Sequence, residues 1–253
     1  MTSEVTRSDV CTVAVAECFR GDGEIMASPM GTTPTLGARL AKASFAPELL
    51  LTDGLNKIVS DVLPLGTLPK NHQVEGWLPF AAVFDTLWGG KRHVMMGATQ
   101  IDRYGNQNIS CLGDWVKPKV QLLGARGAPG NTINHQTSYW VAKHSRRVFV
   151  ENVDMVSGIG YDRVRALPEV SRRFHEIRRV VSNLGVFDFN TEDGRMRLVS
   201  VHPGVALKEV LDQTGFDLAV DNSPAITRLP TADELAMIRR LDPEGRARQE
   251  VIE

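Results

Sequence analysis

Three glycines at intervals of three, Gly124, Gly127 and Gly130, follow a strand-like run from Val120 to Leu123 and lead into Asn131. Glycine leaves the backbone open, so the amides of such a loop can approach a phosphate or an oxyanion. Glu151, roughly twenty residues further on, imitates the ribose-binding acid of a dinucleotide site. The spacing is Gly-x-x-Gly-x-x-Gly rather than Gly-x-Gly-x-x-Gly, and 132–140 is not a clean helical pattern, so a dinucleotide-binding reading fails. A sharp connection explains the same glycines. The second chemical stretch runs from Gly97 to Asn108. Gly97 and Ala98 leave room for close approach, Gln100 offers a donor and an acceptor, and Asp102 can accept backbone amides. Gly105-Asn106 is a turn dipeptide, and turn formation alone would also select Asp102 and Asn106.

Other reactive residues form no recognisable set. Ser157 precedes Gly158 and Gly160, but Gly-x-Ser-x-Gly is absent. The six histidines include no helical i, i+4 pair, which argues against zinc. His135 and His144 lie near the glycine loop and are candidates for polar site residues, with a hydrogen-bonded histidine as the simpler reading. Cys11, Cys18 and Cys111 make no disulfide framework. Cys11 and Cys18, seven apart, share one helix face and read as buried thiols.

The elements that must position these residues alternate. Ser8 can cap a first helix reaching Phe19. Strands are expected at 24–27, 48–51, 93–96, 120–123 and 147–150. Between them, Thr35 can cap a helix over 36–43, and Pro79 can start one that ends at Gly89-Gly90. This alternation predicts an α/β fold with a mostly parallel open sheet flanked by helices. The last third differs. Strand-like runs at 180–184, 186–189 and 196–201 are closely spaced, and Glu192-Asp193-Gly194 suits a hairpin turn. This predicts an antiparallel addition to the sheet. Helices follow at 206–213 and 231–240, the latter with a Thr231/Glu234 capping box. The whole chain reads as one domain, with a polar tail over 242–253 that is mobile or docked on a partner.

Composition excludes several classes. Of 253 residues, 42% are hydrophobic and 23% charged, which suits an ordinary globular core. With 29 basic and 30 acidic residues the net charge of −1 gives no nucleic-acid footprint. No apolar run approaches a membrane span, and residues 1–9 lack a signal-peptide core. The expectation is a reduced, cytoplasmic protein.

Several blocks in order resemble the beta-type subunit of the class I coenzyme A transferase family over nearly the whole chain. Asp22-Gly23-Glu24-Ile25 followed by Pro34-Thr35-Leu36 is similar to that family's opening strand, loop and helix. Met96 through Asn108 is similar to its central signature, and Gly124 to Asn131 stands where it has a second glycine-rich loop. Gly185 to Phe189, Gly204-Val205 and Thr214-Gly215-Phe216 resemble its C-terminal blocks. The resemblance implies substrate or CoA contacts at Gly97, Gln100, Asp102, Asn106, Gly127, Gly130 and Asn131.

One departure matters for the chemistry. The family carries its catalytic glutamate in a Ser-Glu-Asn-Gly motif. Here the place reads Leu51-Thr52-Asp53-Gly54, so the glutamate falls at Thr52. Threonine cannot form the acyl anhydride that CoA transfer requires. The opening loop, Ser28-Pro29-Met30-Gly31, also departs from the family's glycine-rich form. Together these resemble a divergent branch whose members hydrolyse a ring carbon–carbon bond in a steroid-derived CoA thioester. That branch implies an alpha subunit as partner, two of each chain, a base supplied by the alpha subunit, and no cofactor beyond the CoA of the acyl-CoA substrate. The alternatives are a CoA transferase using Asp53 or a partner carboxylate, and a non-catalytic scaffold subunit.

Overall fold

The computed structural model describes residues 4–53, 56–67, 73–86 and 88–251. The chain enters α1 (Arg7–Glu17) through Thr6 rather than Ser8. The Thr6 hydroxyl accepts from the Asp9 amide at 3.4 Å, and the Asp9 carboxylate accepts from the Thr6 amide at 2.9 Å. This reciprocal box satisfies two amides that a helix start leaves open. Asp9 is also gripped by Arg239 at 2.5 and 2.8 Å, which fixes the helix start to the C-terminal part of the chain.

β1 (Met26–Pro29) and α2 (Thr32–Ser44) follow, then a small sheet of β2 (Leu51–Thr52), β3 (Lys57–Val59) and β4 (Val74–Trp77). Gly31 at φ 116° precedes α2, so Thr35 lies within that helix rather than capping it. After α3 (Phe80–Thr86) comes β5 (Arg92–Gly97). Two short hairpins pair β6 (Gln100–Ile101) with β7 (Gln107–Asn108) and β8 (Cys111–Leu112) with β9 (Val120–Gln121). The chain continues through α4 (Ala128–Asn134), β10 (Gln136–Val141), α5 (Tyr161–Val164), α6 (Glu169–Arg172), β11 (Glu176–Ser182), β12 (Gly185–Asp188) and β13 (Arg197–Val201). It ends with α7 (Leu207–Gln213), β14 (Ala219–Ile226), α8 (Ala232–Leu241) and α9 (Arg246–Glu250).

Among the described residues the main sheet has seven strands in the order β1-β5-β10-β11-β12-β13-β14. The first four are parallel, β12 is antiparallel to both its neighbours, and β14 runs parallel to β13. The expected α/β sheet with a C-terminal antiparallel addition is therefore present. Alternation along the strands divides two cores. Met95, Trp140, Val181 and Val186 face α1, α2, α8 and α9, whereas Val94, Met96, Tyr139, Val141, Val180 and Phe187 face the opposite layer. Cys11 and Cys18 are buried in the first core as free thiols, and desolvation pushes both up to about 12.

Two expected strands are corrected. Residues 147–150 form a turn with one isolated bridge, Phe149 to Ile101, because the adjacent place in the sheet belongs to β10. The polar start of β10, Gln136-Thr137-Ser138, hides it from an apolar pattern. The run 120–123 shortens to β9, an exposed strand outside the main sheet. β14 also escapes sequence reading. Asp221, Asn222, Ser223 and Pro224 are turn-forming residue types, yet β14 is an edge strand, where proline's missing donor is tolerated.

The polar tail is partly ordered on this chain. Asp242 caps α9 by accepting the Arg246 and Ala247 amides, each at 2.8 Å. Ala247 and Val251 are buried against the first core. The Glu250 carboxylate accepts the Thr33 amide at 2.8 Å and its hydroxyl at 2.6 Å. That supplies the N-terminus of α2 with the anion that its Gly31 cap lacks. Among the described residues no helix is long and apolar enough to cross a membrane.

Candidate active site at the edge of the sheet

A cleft of about 490 Å³ opens at the carboxyl ends of β1 and β2. Ligands of open α/β sheets gather at such strand ends. Ser28, Pro29 and Met30 form one side, Thr52 and Asp53 another, and Thr35 and Arg39 come from α2. Arg92 completes the wall. Its Nε donates to Ser28 Oγ at 2.8 Å and its Nη1 to Asn131 Oδ1 at 3.0 Å. Burial pushes the Arg92 guanidinium below its usual range. Arg39 donates to the Leu63 carbonyl at 2.8 Å, and burial lowers it likewise.

Thr52, where the resemblance puts the transferase glutamate, lines the cleft. Asp53 is engaged by Asn56 and Lys57. Its Oδ1 accepts the Asn56 and Lys57 amides at 3.0 and 3.1 Å. The opening loop offers few donors. Pro29 has no amide hydrogen, and the Met30 amide is already given to the Met95 carbonyl at 2.9 Å.

The central signature lies outside this cleft. Gln100 Oε1 accepts from Asn108 Nδ2 at 2.7 Å and from the Asp154 amide at 3.0 Å. Asp102 accepts the Tyr104 and Asn106 amides at 3.0 Å and Asn106 Nδ2 at 2.9 Å. Burial pushes the Asp102 carboxyl up, opposed by the Asn106 side chain and these two amides. Asn106 also reaches Asp162 at 2.9 Å and accepts the Gly160 amide at 2.8 Å. Gln100, Asp102 and Asn106 thus spend their polar atoms within the protein, which fits the turn-forming reading. Gly97 ends β5 and its carbonyl accepts from Gln107 Nε2.

The glycine loop divides. Asn131 reaches the cleft wall through Arg92. Gly127 has φ −83°, an ordinary helical value, and a side chain there would meet Asn131 Nδ2 at 3.4 Å. Gly130 faces open space. The loop does not follow a strand of the main sheet, and the positive-φ positions are Gly124 at 86° and Arg126 at 52°. Gly127→Val should therefore cost no left-handed strain and change stability by less than about 1 kcal/mol. Gly160→Ala should behave differently. Its Cβ would fall 2.2 Å from the Tyr104 carbonyl oxygen and 2.6 Å from the Asn106 amide. Overpacking against backbone should cost roughly 2–3 kcal/mol, or about 5–10 °C in a chain of this size. Thermal unfolding of both variants checks this, and equal melting temperatures would contradict it.

The histidines divide in the same way. His144 is stacked on Phe149 at 3.7 Å, with Nδ1 3.0 Å from Ser182 Oγ and Nε2 3.1 Å from Thr214 Oγ1. It is a core residue. His135 is fully buried, and neither ring nitrogen has a hydrogen-bond partner among the described residues. Burial, and then the neighbouring Arg92, lower it to about 4, so its imidazole is neutral. A further constellation escaped the sequence reading. His93 Nδ1 lies 2.7 Å from Asp22 Oδ2 and Nε2 lies 2.9 Å from Ser138 Oγ. The connectivity is that of a serine hydrolase triad. Both His93 and Ser138 are completely buried, and Asp22 is also paired with Arg178, so the set ties the segment after α1 to the sheet rather than attacking a substrate.

Arg92 was legible in one respect. It shares parity with Val94 and Met96 on an inward face, where an arginine is out of place. Its pairing with Ser28 and Asn131 depends on strand order and could not be read.

An open α/β sheet with a polar cleft at its strand ends defines the class, and the comparisons agree with it. The coenzyme A transferase family matches residues 82–213. The chain belongs to that family. It is 53% identical over 247 residues to the cholesterol ring-cleaving hydrolase IpdB subunit of Mycobacterium tuberculosis, covering 97% of this chain and 98% of that one. The crystal structure of Rhodococcus jostii RHA1 IpdAB superposes with a TM-score of 0.94 at 51% identity, covering 99% of this chain and 100% of the matched chain. A 3-oxoadipate CoA-transferase chain of Pseudomonas knackmussii is 28% identical over 250 residues, covering 95% of this chain and 94% of that one.

Proposed function

We propose that this chain is the beta-type subunit of a heteromeric, CoA-thioester-dependent hydrolase that opens a carbon–carbon bond in a ring of a steroid degradation intermediate. The observation that carries the reading is Thr52 in the cleft, within a chain 53% identical to a ring-cleaving hydrolase subunit and 28% identical to a transferase subunit. An alpha subunit, in a tetramer with two of each chain, completes the site and supplies the base. No cofactor is needed beyond the CoA of the substrate. The protein works in the cytoplasm, where its free thiols stay reduced.

The reaction adds water across the bond. The base takes a proton from water, and the hydroxide oxygen bonds to the ring ketone carbon. The carbon–carbon bond then breaks, leaving a carboxylic acid that gives its remaining proton to solvent. The electron pair of the broken bond becomes an enolate conjugated with the neighbouring carbonyl, and the base returns the first proton to carbon. Hydrogen-bond donors must hold each developing oxyanion. Water is the nucleophile, so no carboxylate is required at residue 52. The distant CoA contacts position the ring.

Thr52→Glu should leave the complex without CoA transfer. Pro29 and Met30 supply no amides there for the oxyanion of an acyl anhydride. Mass spectrometry after mixing with acyl-CoA should find no CoA thioester on the introduced carboxylate. A stable adduct that passes CoA to an added acid would contradict this. The function itself is tested with the unmodified complex and a ring-containing acyl-CoA. A ring-opened CoA thioester supports it, whereas CoA moved intact to an added carboxylic acid supports the transferase alternative.

A further inference from the structure

Among the described residues, nothing near Arg92 compensates its charge. Its side chain is buried, and the hydrogen-bond partners of its Nε and Nη1 are the neutral Ser28 hydroxyl and Asn131 amide. Among the described residues, no carboxylate lies within ion-pair distance of it. Burial of a cation without a counter-charge is costly, and proteins ordinarily pair or neutralise such groups. Guanidinium cannot neutralise itself at ordinary pH.

The surroundings keep the cation in place. Asn131 is itself buried and fixed by Met96 Sδ at 3.4 Å. His135, buried with both ring nitrogens unpartnered, stands close enough to feel Arg92 and stays neutral beside it. Ser28 and Asn131 orient the guanidinium through Nε and Nη1, and its Nη2 has no protein acceptor among the described residues. Arg92 lines the cleft, so the unused donor belongs to the space that a ligand would fill.

We propose that Arg92, held by Ser28 and Asn131, is the carboxylate-binding residue of this cleft. The carboxylate comes from one of two sources, the acyl group of the substrate or the partner subunit across the cleft. The inference rests on the acyl-CoA reading of the site, but its test does not require turnover.

The test compares the assembled wild-type complex with Arg92→Gln, Arg92→Lys and Asn131→Asp. Asn131→Asp is nearly isosteric and places a carboxylate on Arg92 from within the chain. Binding of a ring acyl-CoA bearing a carboxylate is measured beside its methyl ester, together with the subunit dissociation constant. If the substrate supplies the anion, Arg92→Gln and Asn131→Asp weaken the carboxylate ligand roughly 10- to 100-fold and leave the ester unchanged. Asn131→Asp also raises the melting temperature, and Arg92→Lys recovers part of the binding. If the partner supplies it, the same two variants weaken subunit association by a similar factor and treat both ligands alike. Unchanged ligand discrimination and unchanged assembly in both Arg92→Gln and Asn131→Asp would overturn the proposal. A wild-type complex that opens no ring would count against the hydrolase reading alone.

Discussion

Purified without its partner, the chain is expected to open no ring. Among the described residues, the carboxylates lining the cleft are Asp53 and Asp61. Asp53 accepts the Asn56 and Lys57 amides, and Asp61 accepts the Gln73 amide at 2.6 Å. The cleft histidine neighbour, His135, is buried rather than lining the open space. Among the described residues, no side chain of the cleft is arranged to take a proton from water. General-base catalysis contributes typically 10²- to 10⁴-fold, so turnover should fall by at least about 10²-fold without the partner. Adding the partner should restore it at a one-to-one ratio. Steady-state assays with the isolated chain, its partner and the mixture decide the matter, and robust turnover by the pure chain would contradict the account.

Mild acid should destabilise the fold steeply. Burial lowers His144 to about 3 and His202 to about 4, and burial together with Arg92 lowers His135 to about 4. Unfolded, each histidine titrates near 6.5. Between that value and about 4 the unfolded chain binds more protons than the folded one, so stability rises with pH across this window. The contribution is fully present above about pH 6.5 and is lost as pH falls through the window, with His144 continuing towards about 3. Each histidine adds up to about 1.4 kcal/mol per pH unit, and three together about 4. Total stabilities are about 5–15 kcal/mol, so the loss is large. Urea unfolding midpoints between pH 7 and pH 4.5 measure it. His144→Gln, which keeps an acceptor and a donor in the core, should flatten the slope by about one proton. A midpoint independent of pH would contradict the buried, neutral assignment.

Much of the architecture was legible because local chemistry and global fold agree. The capping box at Thr231, the hairpin at Glu192-Asp193-Gly194 and the strands β5, β12 and β13 lie where the pattern put them. Failures fall where tertiary context overrides composition. β10 begins with three polar residues because Ser138 is needed by His93. β14 contains turn-forming residues because an edge strand does not use all its donors. The tail is charged because Glu250 completes a distant helix start.

The site was legible in part and for a different reason. Thr52 was found by its departure from a motif, and the structure puts it in the cleft. The central signature is distinctive in sequence because a buried Asp102–Asn106 turn tolerates few alternatives. Its residues support the scaffold beside 157–160 rather than lining the cleft. Arg92 and Asn131 are 39 residues apart and meet only because α4 packs over β10, the neighbour of β5 in the sheet. No spacing rule joins them.

Water replaces an enzyme carboxylate as the nucleophile in the proposed reaction. A single turnover of the assembled complex in ¹⁸O-labelled water tests this most directly. The predicted result is one labelled oxygen in the new carboxylate of the ring-opened product, with CoA still attached. An unlabelled product, or label appearing only when CoA has moved to another acid, would contradict it.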